Sequence, residues 1–275
     1  MRKIKYPLIV SDCDGTILRS DNTIGGFTKN KINEYVQDGG IFAVSTGRMI
    51  ASILPVVRSW GLKGVVSAFQ GALLMDIQTE KVLHQSTIPH EKALYICEEM
   101  EKLNLHIHTY EMWEMYSNRD NEWLKVYERI SGEKAIIKPN MSAFMKERKM
   151  CPYKLLAMVD TADTSKVCQA LEKVVPSDCF VTTSAPFLVE VGLKTATKQK
   201  AVTFLSNYYN VPIERTIAIG DQPNDIPMIE VAGLGVAVKN AHNDVKKVAY
   251  NLPYTNDEDA VGKLIEEIAY TEELE

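Results

Sequence analysis

The 275-residue sequence contains no apolar run approaching the roughly twenty residues that an α-helix needs to cross a bilayer, so an integral helical membrane protein is not expected. It also lacks an excess of positive charge, with 31 Lys and Arg against 36 Asp and Glu and a net charge of -5. Nucleic acid and anionic membranes call for a basic patch, so neither is expected as a partner. A small anion remains compatible with this balance where a metal and a few cations concentrate positive charge. Cysteine is sparse and unpatterned. Cys13, Cys97, Cys151, Cys168 and Cys179 are odd in number and form no Cys-x-x-Cys pair, which reads as reduced thiols acting mostly as small apolar fillers. No secretory leader is expected, because residues 1–7 are basic but run directly into an apolar strand with an acidic end. These absences imply a cytoplasmic protein. Its composition, 45% hydrophobic and 24% charged, is that of an ordinary globular chain long enough for two modest domains.

Against that background one stretch stands out, Asp12-Cys13-Asp14-Gly15-Thr16, directly after the short apolar run Leu8-Ile9-Val10. The run has the length of a buried strand and is bounded by Pro7. Alternation along a strand turns Asp12 and Asp14 to one side and Cys13 to the other, and Gly15 lets the chain turn at once. Neighbouring carboxylates repel and lose hydration when enclosed, so a divalent metal is expected to compensate them. Taken alone, Asp-x-Asp reads as a helix N-cap or a turn rather than as a site. An EF-hand is excluded, since its loop wants glycine at position six and glutamate at twelve, where this chain has Gly15 at position four and Thr23 at twelve.

Helical periodicity over residues 28–37, with Ile32, Tyr35 and Val36 on one face, stops at Asp38-Gly39-Gly40. A strand over 41–44 then ends in Ser45-Thr46-Gly47-Arg48, and a helix over about 49–60 precedes a strand over 64–68 and Gln70-Gly71. Strands alternating with helices predict an α/β fold with a doubly wound, Rossmann-like parallel sheet. From about residue 86 the rhythm changes to α+β material: a helix over 91–102, an alternating strand over 105–110, a strand over 153–159, a helix over 165–174 and a strand over 179–183. The reading is a core of residues 1–85 and 190–275 with an inserted cap domain over 86–189.

Within the insert, His106 and His108 alternate along a strand, but no acid or cysteine lies at clear ligand spacing. They are expected at a strand surface or in a cleft rather than on zinc. Tyr110, Met112, Trp113, Met115 and Tyr116 are expected to pack as core or as the floor of the cap.

The alternating rhythm returns at Glu190 with a helix over about 197–209, a strand over 216–219 ending in Gly220-Asp221-Gln222-Pro223-Asn224-Asp225, and a final strand over 235–238. Helices over 240–249 and 260–268 close the chain. A helix dipole disfavours a cation at its N-terminus, so Lys198 suggests a nearby anion, although pattern does not separate it from Lys194 or Lys200. The two acidic strand ends meet if their strands are neighbours at a topological switch point, where doubly wound sheets bind ligands.

The order of these segments resembles the haloacid dehalogenase superfamily, specifically the Cof-like type IIB phosphatases, and the likeness covers the chain end to end. Its first motif, Asp-x-Asp-Gly-Thr after a strand, is matched by residues 12–16, and its second by Thr46-Gly47-Arg48. The third, a lysine opening a helix, picks out Lys198. The fourth, Gly-Asp-x-x-Asn-Asp, is matched by residues 220–225. The resemblance implies Asp12 as nucleophile and Asp14 as acid/base. It implies that Asp12, Asp221 and the Asp14 main-chain carbonyl hold Mg²⁺ with Asp225 supporting the metal shell, and that Thr46, Gly47, Lys198 and Asn224 hold the phosphate. Formal charges agree, since four carboxylates against Mg²⁺ and Lys198 leave one negative charge to hold a proton, assigned to Asp14.

Three positions depart from the family pattern: Gln70 where Asn is usual before Gly71, Gln199 where glycine usually follows the motif lysine, and Asp259-Ala260-Val261-Gly262 for Asp-Gly-Val-Ala. None removes a catalytic group, and Gln70 bears on substrate fit. The implied activity is a Mg²⁺-dependent phosphatase of a small phosphorylated metabolite, such as a sugar phosphate or pyridoxal phosphate, through an aspartyl-phosphate. The alternatives are a phosphomutase or phosphotransferase on the same core, and a noncatalytic phosphate-binding signalling module.

Overall fold

The apolar runs that end in polar turns form strands in the computed structural model, which describes residues 3–271. β1 (Leu8–Ser11) leads through a tight turn over Cys13–Ile17 to α1 (Gly26–Gln37), then β2 (Ile41–Ser45), α2 (Ile50–Ser59) and β3 (Val65–Ala68). Two further strands, β4 (Leu73–Asp76) and β5 (Val82–Gln85), were not foreseen from the pattern. The apolar stretch Leu73-Leu74-Met75 folds back so that β4 pairs antiparallel with β3.

The following segment is α+β: α3 (His90–Lys102), β6 (His106–Tyr110), β7 (Met115–Ser117), α4 (Glu122–Ser131), β8 (Ala135–Ile137), α5 (Met141–Arg148), β9 (Leu155–Met158), α6 (Thr164–Glu172), β10 (Cys179–Ala185) and β11 (Leu188–Leu193). Its six strands form one sheet in the order β10-β11-β9-β6-β7-β8, with β7 and β8 parallel and the other pairs antiparallel. The sequence reading contains no helix at α4 or α5. At α4 the signals are local: the Asn121 side chain accepts from Leu124 N at 3.1 Å, and Gly132 ends the helix with φ 76°. Glu190, read as the point where the core resumes, lies inside β11 opposite Leu156 and Thr182.

The expectation for the histidines is corrected. His106 and His108 are 3% and 0% exposed, their Nε2 atoms are 3.2 Å apart, and His106 Nε2 lies 2.8 Å from Ser117 Oγ. Burial lowers His106 to about 4, helped by Arg119, and burial, His106 and Lys154 hold His108 well below the usual histidine range. Both rings are neutral core groups, because the six-stranded sheet and α4 enclose the face that the alternation defines. Tyr110, Met115 and Tyr116 are buried as expected and Met112 is half-buried, whereas Trp113 at the turn before β7 is exposed.

The chain then continues through α7 (Lys198–Tyr208), β12 (Thr216–Gly220), α8 (Ile226–Val231), β13 (Leu234–Ala237), α9 (Asn243–Val248), β14 (Tyr250–Asn251) and α10 (Ala260–Ile268). The larger sheet runs β14-β13-β12-β1-β2-β3-β4-β5 and is parallel from β14 to β3. β1 lies between β12 and β2, with Ser11 opposite Ile219 on one side and Val44 on the other. Every residue of β1 and β12 is buried. Each enclosed Leu, Ile or Val contributes about 1.5–3 kcal/mol, which anchors the two strands whose ends carry the acids. Strand order reverses between β1 and β12, the switch point at which this architecture opens a crevice.

By packing, the chain divides into two compact units. One takes the residues up to Gly47, 54–84 and those from Thr197 onward, and the other takes 48–53 and 85–196. Among the described residues no helix is long and apolar enough to cross a membrane.

Candidate active site

Asp12 leaves β1 with its N–H donating to Ile219 O of β12 at 2.9 Å, so the first acidic strand end is stitched to the second. Asp12, Asp221 and Asp225 are all buried, and each offers one carboxylate oxygen within 4.8 Å of the others. His106 and His108 belong to no such group among the described residues. Lys198 opens α7 at 3% exposure and donates to Asp12 Oδ1 and, at 2.5 Å, to Asp225 Oδ1. This selects Lys198 over Lys194 and Lys200, both of which are exposed. Burial alone would lower the Lys198 ammonium, but Asp12 and Asp225 outweigh it and raise it above the ordinary lysine value. The position is unfavourable against the helix dipole, and the two carboxylates offset it.

The loop after β12 is held by its own acid. Asp225 Oδ2 accepts from Asp221 N at 2.9 Å and Gln222 N at 3.0 Å, so with Lys198 on Oδ1 both its oxygens are engaged. Asp221 accepts from Thr16 Oγ1 at 2.8 Å and from Gln222 Nε2 at 2.7 Å. Burial, then Asp225, pushes Asp12 well above the usual carboxylate range against the pull of Lys198, and burial raises Asp221 as well. Three enclosed carboxylates facing one ammonium carry a formal charge of -2. Oxygen-only donors with that charge fit a hard divalent cation, and Mg²⁺ is one.

Asp14 does not join this cluster. β1 ends at Ser11, the chain enters a turn, and Asp14 lies exposed within it at φ -78° and ψ 122°. Strand alternation therefore does not govern the pair, which corrects the sequence-based picture of two acids on one strand face. Gly15 is required here. Its φ is +76°, and an added Cβ would lie 2.7 Å from Asp221 Oδ2.

The ends of β2 and β3 supply the polar groups alongside. Thr46 is buried, its N–H donates to Ser67 O at 2.8 Å, and its carbonyl accepts from Gln70 N at 2.9 Å. Asn224, exposed on the β12 loop, donates through Nδ2 to Gln70 Oε1 at 3.1 Å. Gly47 borders the same amide, since a Cβ on it would lie 2.5 Å from Gln70 Nε2. Thus Asp12, Lys198, Asp221 and Asp225 meet directly, and Gln70 links Thr46 to Asn224. Sequence reasoning gave no separate role to Thr16, Gln222 or Asn240. Asn240 donates to Gly15 O at 2.8 Å and accepts from Asn256 N at 3.0 Å, while Asn256 donates to Leu18 O at 2.9 Å. These bonds hold the main chain around Asp14, and no local pattern marks the two asparagines.

The profile of the haloacid dehalogenase-like hydrolases matches residues 9–265. A Haemophilus influenzae protein provisionally named a phosphatase is 30% identical over 263 residues, covering 95% of this chain and 98% of that one. The Bacillus subtilis 5-amino-6-(5-phospho-D-ribitylamino)uracil phosphatase YitU is 28% identical over 94% of this chain and 96% of its own. A crystal structure from Thermotoga maritima superposes with a TM-score of 0.87 at 30% identity, covering 98% of this chain and all of that one. With Asp12, Lys198, Asp221 and Asp225 gathered at the β1/β12 switch point and the profile matching residues 9–265, the chain belongs to the haloacid dehalogenase-like hydrolase family.

Proposed function

We propose that the protein is a Mg²⁺-dependent phosphomonoester hydrolase of the cytoplasm that acts on a small phosphorylated metabolite through an aspartyl-phosphate on Asp12. The single observation that carries this reading is the buried Lys198 ammonium shared by Asp12 and Asp225 with Asp221 beside them. A phosphoryl group brings negative oxygens to a site that must both attract it and tolerate an anionic nucleophile. Lys198 serves both needs, holding Asp12 in place and offering charge to a phosphoryl oxygen. Thr46, Gly47 and Asn224 line the strand ends as further phosphate contacts. Asp12, Asp221 and the Asp14 main-chain carbonyl would hold Mg²⁺, with Asp225 behind them, and the bound ion would supply positive charge against the equatorial oxygens.

The steps belong to the side chains. An Asp12 oxygen attacks phosphorus in line, the leaving oxygen takes a proton from Asp14, and Asp14 then takes a proton from the water that opens the acyl phosphate. Exposure of Asp14 suits proton exchange with substrate and solvent. Phosphatase activity of the haloacid dehalogenase type agrees with the family and with the activity named for its relatives. Sugar phosphates, pyridoxal phosphate and the ribityl phosphate named for the Bacillus relative are the first substrates to screen.

The test is an aryl phosphate with a good leaving group, acid quench and peptide mass analysis in the presence of Mg²⁺. Asp14→Asn should accumulate a phosphoryl group on the peptide containing Asp12, and Asp12→Asn should give no adduct and almost no turnover. A folded Asp12→Asn variant that keeps near-normal turnover would sink the covalent reading.

A further inference from the structure

The turn after β3 stands on an unusual backbone. Phe69, Gln70 and Gly71 all have positive φ, at 51°, 60° and 102°. Glycine enters this region freely, but a bulky residue rarely does, and two side-chain-bearing residues in succession persist there only where their surroundings impose it. The surroundings are visible. Gln70 N donates to Thr46 O at 2.9 Å, Ala72 N donates to Phe69 O at 3.1 Å, and Gly71 approaches the Thr197 carbonyl so closely that a Cβ would lie 2.3 Å from its oxygen. The turn is therefore wedged between the end of β2 and the N-cap of the helix that carries Lys198.

What this backbone presents is the Gln70 side chain, half-buried and open to solvent on one side. Its Oε1 accepts from Asn224 Nδ2 at 3.1 Å. Its Nε2 has no hydrogen-bond partner among the described residues and occupies the space that a side chain at position 47 would fill. An amide has two N–H donors, so a pair of unused donors is held between Gly47 and Asn224. Strained backbone that fixes an unused donor beside convergent polar groups is the pattern of a ligand contact rather than of packing.

We propose that Gln70 is a substrate-contacting residue whose amide nitrogen donates to a nonbridging phosphoryl oxygen, with Gly47 leaving the room it needs. This rests on the function proposed above and adds a phosphate contact to it. The strain serves the contact, so stability and binding should separate at this position.

Calorimetric titration of inorganic phosphate in Mg²⁺ buffer, together with melting temperature, decides the matter without relying on turnover. Gln70→Gly should weaken phosphate binding about tenfold or more, the size of a lost hydrogen bond to a charged group, while its melting temperature holds or rises by roughly 2 °C. Gln70→Glu keeps the shape but replaces the donor with a negative charge, so it should weaken binding further, by about a hundredfold. Gly47→Ala should push the amide aside and weaken phosphate binding in the same direction. A purely structural turn predicts that Gln70→Gly lowers neither quantity, or lowers both together. Wild-type phosphate affinity in both Gln70 variants would overturn the inference. Absence of aryl phosphate hydrolysis by the wild type, by contrast, would overturn the functional reading and leave the phosphate titration to judge Gln70.

Discussion

Both units bury charge, but they balance it differently. In the unit with six strands, Lys154 and Glu190 form an ion pair at 3.0 Å with side chains 10% and 6% exposed, and Lys154 also lies 5.0 Å from the Tyr110 ring centroid. Burial alone would lower Lys154, yet Glu190 outweighs it and raises it. In the unit with eight strands, two carboxylates, Asp12 and Asp225, share one lysine and a third, Asp221, lies beside them. A matched pair is complete, whereas an unmatched cluster stays costly until a cation or a polar ligand arrives. Imbalance of buried charge, rather than its mere presence, sets the candidate site apart.

Exchanging each lysine for an apolar residue tests this contrast most strongly. Lys198→Met should reduce kcat/KM at least about a thousandfold, since it removes a preorganised cation from the reacting centre. Lys154→Met should instead cost about 3–5 kcal/mol in urea unfolding by stranding Glu190, with activity reduced far less. Adding Glu190→Leu should recover most of that stability. Equal losses of activity from the two lysine variants would erase the distinction.

Removing the insert sharpens the comparison from the other side. With a short linker in place of residues 85–196, which removes β11 whole, the remaining chain should keep weak phosphatase activity, about tenfold to a hundredfold down, and should no longer discriminate among phosphorylated metabolites. A folded variant with unchanged substrate ranking would remove the insert from substrate choice.

The smallest effect is a pH dependence confined to the insert. Unfolded histidine gains its proton near pH 6.5, whereas folded His106 resists it down to about 4 and His108 resists it further. Between those limits the unfolded state binds more protons, so stability falls as the pH drops below 6.5 and is unaffected by these rings above it. At pH 5.5 the loss from His106 is about 1 kcal/mol. Replacing both histidines by glutamine should flatten that part of the profile, and parallel slopes for variant and wild type would assign it to other groups.

Much of this protein was legible one segment at a time. β1, β2, β3, β12 and α10 follow from apolar periodicity and from the residues that interrupt it, which are local signals. α4 and α5 are short helices of ten and eight residues in which apolar and charged residues alternate closely, and β7 and β8 escaped because strands of three residues carry almost no period. The unforeseen β4 and β5 extend the sheet, β4 by antiparallel pairing with β3, a choice that depends on partners rather than on the strand itself.

By itself the sequence determined which chemistry is possible here: acids and polar turns at strand ends, a lysine opening a helix, and no cysteine framework or basic surface. Tertiary structure decided which of those groups meet. Lys198 reaches Asp12 across 186 residues only because α7 and β1 converge at the switch point, and that contact separates it from two neighbouring lysines. Asp14 stands apart from the carboxylates although it is two residues from Asp12, because the backbone turns between them. Residue type sets a group's charge and donors, but burial and distance set its ionisation and its partner, and those arise from strand pairing between distant parts of the chain.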